Sequence, residues 1–280
     1  MSEVKIILAL SLALVLSLAL VGCDQGLPQD EVDRLIENVA SAQFDSLKMD
    51  IDMDMAMTVE GGASPGQMTM TGNGSGVIDM ASQEMQMTMD MSMDIPEMGT
   101  QTIATEYYLV GEWMYTSFDI PELGKQWLKT AVTPGMWEQQ SQVELQIEFL
   151  KSAVEVKSLA DQAVDGTDCY VFELVPSVEA LGELLSQQTT ATGMDFSQLN
   201  LADLFEEMRV KEWIAKDSYQ VLKTEVYMQM QMHPADVGAS EADFDKMVMD
   251  INMTMRLYEY NQPVSIELPE KALDAAEIPS

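Results

Sequence analysis

Leu47-Lys48-Met49-Asp50-Ile51-Asp52-Met53-Asp54-Met55-Ala56-Met57-Thr58-Val59 alternates apolar and polar side chains almost without a break. Leu47, Met49, Ile51, Met53, Met55, Met57 and Val59 fall on one face; Lys48, Asp50, Asp52, Asp54 and Thr58 fall on the other. Successive strand side chains point to opposite faces, so this period of two predicts a long antiparallel strand with one face buried. At about 3.3 Å per residue, ten such residues span roughly 33 Å. Gly61-Gly62-Ala63-Ser64-Pro65-Gly66 then reads as a turn.

The pattern continues outward from this strand. The return strand carries Met68, Met70, Ile78 and Met80 in phase, with Gly72, Gly74 and Gly76 between them. Met85, Met87, Met89, Met91, Met93 and Ile95 form the next apolar face, and strands over 103–108 and 109–118 flank a turn at Gly111. No helical period intervenes, which predicts a meander and not βαβ units. Further strands are expected over 153–159 and 169–175, around Asp165-Gly166, and over 209–216, 220–232 and 246–260. In the last two, Val226, Met228, Met230 and Met232 share a face, as do Met247, Met249, Ile251, Met253, Met255 and Leu257. A short final strand over Val264–Leu268 ends at Pro269. Helical spacing of Val32, Leu35, Ile36 and Val39 predicts a first helix over 30–44. Others are expected over 134–150, 177–188 and 197–208, the last two capped by Ser177 and Ser197. The fold class is therefore mainly β (α+β): a wide, curved antiparallel sheet whose apolar concave face is covered by helices.

The amino terminus supplies an address. The apolar run from Ile6 to Val21 ends in Leu20-Val21-Gly22-Cys23, the form of a lipobox. Residues 1–22 read as a lipoprotein signal peptide, Cys23 as the lipidated first residue and 23–30 as a tether, with one domain over 31–280. An uncleaved membrane helix is the alternative, but the run is near the lower length limit for crossing a bilayer, and the small residue before the cysteine favours lipidation. Two acyl chains hold such a protein stably, because each buried CH₂ contributes roughly 0.8 kcal/mol. The expected location is the extracytoplasmic face of the cell membrane.

Composition narrows the chemistry. With 14 Lys and Arg against 47 Asp and Glu, the net charge is −33, which argues against nucleic acid and anionic membrane surfaces as partners. Cys169 has no second cysteine once Cys23 is acylated, so no internal disulfide is expected. One histidine, His233, leaves no basis for a His triad or a His-rich zinc site. No catalytic residues, no cofactor and no metal site are assigned. The outward Asp50, Asp52 and Asp54 lack the turn and glycine of a dedicated calcium loop.

Methionine is the outlier, with 25 residues. Its flexible, polarizable side chain fits surfaces that adapt to varied apolar partners, and it also fills ordinary cores. Gly72, Gly74 and Gly76 either let the sheet curl or leave room for a helix or a ligand. The candidate cavity lining is Met53, Met55, Met70, Gly72, Gly74, Gly76, Met87, Met89, Met228 and Met230, with Ile251 on the last long strand. Met85-Gln86-Met87 and Met228-Gln229-Met230 also have the spacing of thioether pairs that take Cu(I).

Three stretches carry a family resemblance. Trp213-Ile214-Ala215-Lys216-Asp217-Ser218-Tyr219-Gln220-Val221-Leu222-Lys223 and Asp165-Gly166-Thr167-Asp168-Cys169-Tyr170-Val171-Phe172-Glu173-Leu174 resemble segments of the lipoprotein-carrier superfamily, the LolA-like and LppX-like proteins. Tyr258-Glu259-Tyr260-Asn261-Gln262-Pro263-Val264-Ser265-Ile266-Glu267-Leu268-Pro269 is similar to the last strand of LppX-type lipoproteins. The resemblance implies a half-open β-barrel that binds acyl chains of a lipid or an acylated protein in an apolar hollow, without catalysis. A structural or interaction lipoprotein with a filled core, and a Met-based Cu(I) carrier, are the alternative expectations.

Overall fold

A computed structural model describes residues 28–62, 65–95, 99–120, 124–132, 137, 153–177, 204–234 and 244–278. Cys23 and most of the helices expected over 134–150, 177–188 and 197–208 lie outside the described residues.

The described chain is mostly strand and forms one wide, curved sheet that does not close, a half-open barrel in form. Helix α1 (Gln29–Ser41) leads into β1 (Ser46–Glu60), β2 (Gly66–Asp79), β3 (Glu84–Ile95), β4 (Gly99–Val110), β5 (Trp113–Ile120) and β6 (Gly124–Ala131). A second run comprises β7 (Ala153–Val164), β8 (Thr167–Pro176), β9 (Phe205–Ala215), β10 (Val221–Met232) and β11 (Lys246–Tyr258). Helix α2 (Glu270–Leu273) and β12 (Ala276–Glu277) end it. The strand order is β12-β6-β5-β4-β3-β2-β1-β11-β10-β9-β8-β7. Two meanders are thus joined by one antiparallel seam, β1 with β11, from Lys48 opposite Tyr258 to Glu60 opposite Lys246.

Registry keeps the apolar phase constant across the seam, where Met49 lies opposite Leu257, and on through β2 to β5. Leu47 lies opposite Ile78, Ile78 opposite Met85, Met85 opposite Leu109 and Leu109 opposite Met114. These side chains join Leu35 and Val39 of α1, and Phe172, Leu174, Val210, Ile214, Val221 and Leu257, in one core. The amphipathic helix therefore packs on the inner face, at the end of the sheet where β1 begins. It stops at Ser41, short of the expected Phe44. Phe44 turns instead onto Tyr260, edge to face with ring centres 5.6 Å apart.

Two expectations are corrected, and one further strand appears. Residues 205–208, expected at the end of a helix, belong to β9, where Met208 pairs with Met228 and Glu207 with Gln229; sheet pairing overrides local helical spacing here. Gly124–Ala131 forms β6, a strand without an alternating signal. Val264–Leu268 is not a strand. Its alternation arises because an extended chain lies over the outer face, setting Ile266 and Leu268 against Tyr108, Val110, Trp113, Tyr115 and Trp127. Ala272 and Ala275 complete that contact, and Ala276–Glu277 adds a short parallel strand to the β6 edge, with Ile278 N–H donating to Lys129 O at 2.9 Å. The turn before this strap is pinned to the start of β1: Asn261 N–H donates to Ser46 O at 2.8 Å, and the Ser46 hydroxyl donates to Gln262 O at 2.6 Å.

Ending the chain after Gln262 uncovers Trp113 and Trp127 and bares the β6 edge. The expected result is a loss of roughly 2–4 kcal/mol of stability with a matching rise in acrylamide quenching of tryptophan fluorescence. An unchanged melt and unchanged quenching would show that the strap contributes nothing.

Candidate functional site: the inner face of the sheet

The inner face has two ends of different character. Near the start of β1 it is closed by the core around α1. Toward the far end of β1, rows of methionine run across the strands. One row reads Met68, Met57, Met249, Met230 on β2, β1, β11 and β10. The adjacent row reads Met93, Met70, Met55, Ile251, Met228, Met208, from β3 to β9. Directly opposed side chains on such strands stand about 4.5–5.5 Å apart at Cβ, so the thioethers form a contiguous surface. All of these residues are half-buried, as are Met49, Met80 and Met114 beside the core, while Met85 and Met255 within it are 6% and 8% exposed. The candidate residues Met53, Met55, Met70, Met87, Met89, Met228, Met230 and Ile251 all lie on this face, and β1, β2, β3, β10 and β11 bring them together.

Gly72, Gly74 and Gly76 lie opposite Met53, Ile51 and Met49 on β1 and opposite Met91, Met89 and Met87 on β3. The space above them is taken by methionine. A Cβ on Gly72 would lie 3.4 Å from Met53 Cε and 3.7 Å from Met89 Sδ; on Gly76 it would lie 2.9 Å from Met49 Cγ. On Gly74 it would meet the backbone carbonyl of Thr88 at 2.5 Å, an approach that only glycine allows. The glycine stripe thus lets the neighbouring strand curl in and lets long thioethers fold across β2. Gly74→Ala should cost about 1–3 kcal/mol, because backbone must move, and Gly72→Ala less than about 1 kcal/mol, because only a flexible methyl end must give. Urea denaturation of the two variants checks the order; equal losses would contradict it.

Among the described residues, one carboxyl group is buried inside the sheet. Val210, Glu212 and Ile214 are in phase on β9, so Glu212 points to the inner face between Phe172 on β8 and Thr224 on β10. It is 3% exposed, and its Oε2 and the Thr224 Oγ1 have no hydrogen-bond partner among the described residues. Burial pushes its carboxyl up to about 8 from 4.5. The nearby Tyr260 hydroxyl, which donates to Val221 O at 2.5 Å, is pushed upward by burial and by the Glu212 charge. The alternation of Val210 and Ile214 carried the signal for this residue, which no sequence motif marks.

Between pH 4.5 and about 8 the folded chain keeps this proton and the unfolded chain has lost it. The unfolded state then binds fewer protons, so this group's contribution to stability falls as pH rises through that window and levels off above it. Glu212→Gln should remove that fall, so that its stability gains on the parent by on the order of 3 kcal/mol between pH 5 and pH 9. Urea titrations across this range measure it; parallel curves would contradict it.

The outer face of β1 is polar. Asp52 and Asp54 are exposed, and the Tyr258 hydroxyl donates to Asp50 Oδ1 at 3.1 Å. A cavity of about 440 Å³ opens beside Asn73, Asp90, Ser92, Ala104 and Asp119, mostly outward-facing positions of β2 to β5. Cys169 is fully buried, its thiol donating to Thr167 O at 3.3 Å, and burial pushes its pKa up. Among the described residues no group of three or more His, Cys, Asp or Glu is placed to hold a metal ion, and no helix is long and apolar enough to cross a membrane.

Solved structures similar to this chain include the lipoprotein LppX of Mycobacterium tuberculosis, with 10% identity over 86% of this chain and 100% of that one and a TM-score of 0.42. LprF from Mycobacterium bovis has 12% identity over 87% and 99%, with a TM-score of 0.44. A putative outer membrane lipoprotein-sorting protein domain from Vibrio parahaemolyticus has 13% identity over 84% and 95%, with a TM-score of 0.25. No curated protein matches the chain. Residues 31–277 match DUF6612, a family of unknown function, and the chain belongs to that family.

Proposed function

We propose that this protein is a non-catalytic, membrane-anchored extracytoplasmic lipoprotein that binds the acyl chains of a lipid or of an acylated protein on its inner face. The observation that carries this reading is the contiguous surface of half-buried methionines at one end of an open sheet, away from the core that α1 fills. Burying apolar surface there yields about 25 cal/mol per Å², and thioether side chains adapt their shape to a disordered acyl chain. The lipobox at Cys23 supports the same reading, because a tether of a few residues holds this surface close to lipid.

A second reading, a structural or interaction lipoprotein, is favoured by one observation: methionine side chains already occupy the space above Gly72, Gly74 and Gly76. The two readings part on a single preparation. Protein released from membranes should carry palmitate on Cys23, absent in Cys23→Ser, and should co-purify with lipid detectable by mass spectrometry. Delipidated protein should bind a fluorescent fatty acid, and Met55→Lys with Met249→Lys should weaken that binding about tenfold or more. Delipidated protein that binds no fatty-acid probe would leave the structural reading standing.

A further inference from the structure

The same thioethers carry a reactivity that goes beyond binding. We infer that the methionine rows are a site of reversible S-oxidation, at which peroxide or hypohalous acid converts the open end of the inner face from apolar to polar. Three features place the chemistry there. Thioether oxidation needs oxidant access to sulfur, and Met55, Met57, Met68, Met70, Met230 and Met249 are partly exposed, while Met85 and Met255 in the closed core are 6% and 8% exposed. These six are concentrated in adjacent cross-strand rows, so each sulfoxide changes the same surface and the effects combine. The described thiol, Cys169, is fully buried and protonated by burial, so it does not compete for the oxidant.

The step balances simply. The sulfur lone pair attacks the terminal oxygen of a hydroperoxide, an S–O bond forms as the O–O bond breaks, and the remaining oxygen leaves as water or alcohol. Sulfur loses two electrons and the peroxide gains them. A dithiol reductant acting through a methionine sulfoxide reductase reverses it: the oxygen leaves as water and two thiols become a disulfide. Each oxidation turns an apolar side chain into a strongly polar one, and each reduction restores it, without breaking a backbone hydrogen bond of the sheet.

Two readouts, neither using a lipid, test this on the folded full-length protein treated with hydrogen peroxide. Peptide mass spectrometry should find Met55, Met57, Met68, Met70, Met230 and Met249 oxidised about tenfold faster or more than Met85 and Met255. Retention on a hydrophobic-interaction column should fall in step and return after sulfoxide reductase treatment, with the far-ultraviolet strand signal unchanged. A variant with leucine at those six positions should lose less retention in peroxide than the parent, the remainder coming from Met93, Met208 and Met228. Equal rates at the core methionines, or retention that is unchanged or rises on oxidation, would overturn the inference. Failure of the fatty-acid probe to bind the untreated protein would count against acyl-chain binding alone.

Discussion

The structure depends on one constraint, the phase of the β1–β11 seam. Side chains alternate across a sheet with a period of two, so a slip of one residue at this seam would put Asp50, Asp52 and Asp54 on the same side as the methionines of β11. The observed register opposes Met53 to Met253 and Met57 to Met249, and it sets Asp50 opposite Arg256 on the other face. Because the same phase passes through β2 and β3 on one side and β10 on the other, a single pairing choice determines which face of the whole sheet is apolar.

That inner face combines unlike solutions to one packing problem. At the closed end, branched and aromatic side chains meet an amphipathic helix. In the middle, glycine on β2 receives methionine from β1 and β3, so one strand's missing side chains are replaced by its neighbours' long ones. At the far end, methionine meets methionine across four strands. Glu212 is the exception, an acid kept neutral within an apolar row, and it makes the β9 side of the sheet responsive to pH where the methionine end is responsive to oxidant.

Much of this was legible from residue order. Where one face is buried and the other solvated, as in β1, β3, β10 and β11, the alternation itself locates the strand and names its inner residues. β6 was missed because its large apolar residue, Trp127, faces outward beneath the C-terminal strap, and the strap is distant in sequence. Val264, Ile266 and Leu268 misled for the complementary reason: alternation reports an extended chain with one covered side, and covering does not require a backbone partner. The glycine stripe marks a place without side chains, but which neighbour fills it depends on the cross-strand register, which composition does not carry.

The strand order has a further consequence for assembly. β1 precedes β2 to β10 in the chain, and its second partner, β11, begins only at Lys246. The six-stranded meander that starts with β1 therefore exposes an unpaired edge until β11 has been delivered. Such an edge is a template for wrong pairing, and alternate charge is a recognised guard against it. Asp50, Asp52 and Asp54 line this waiting edge, and their mutual repulsion disfavours docking with a second identical β1 strand. Final joining is a long-range event, slow by its topology, so the chain's acidity serves its passage to the folded state as well as its solubility afterwards.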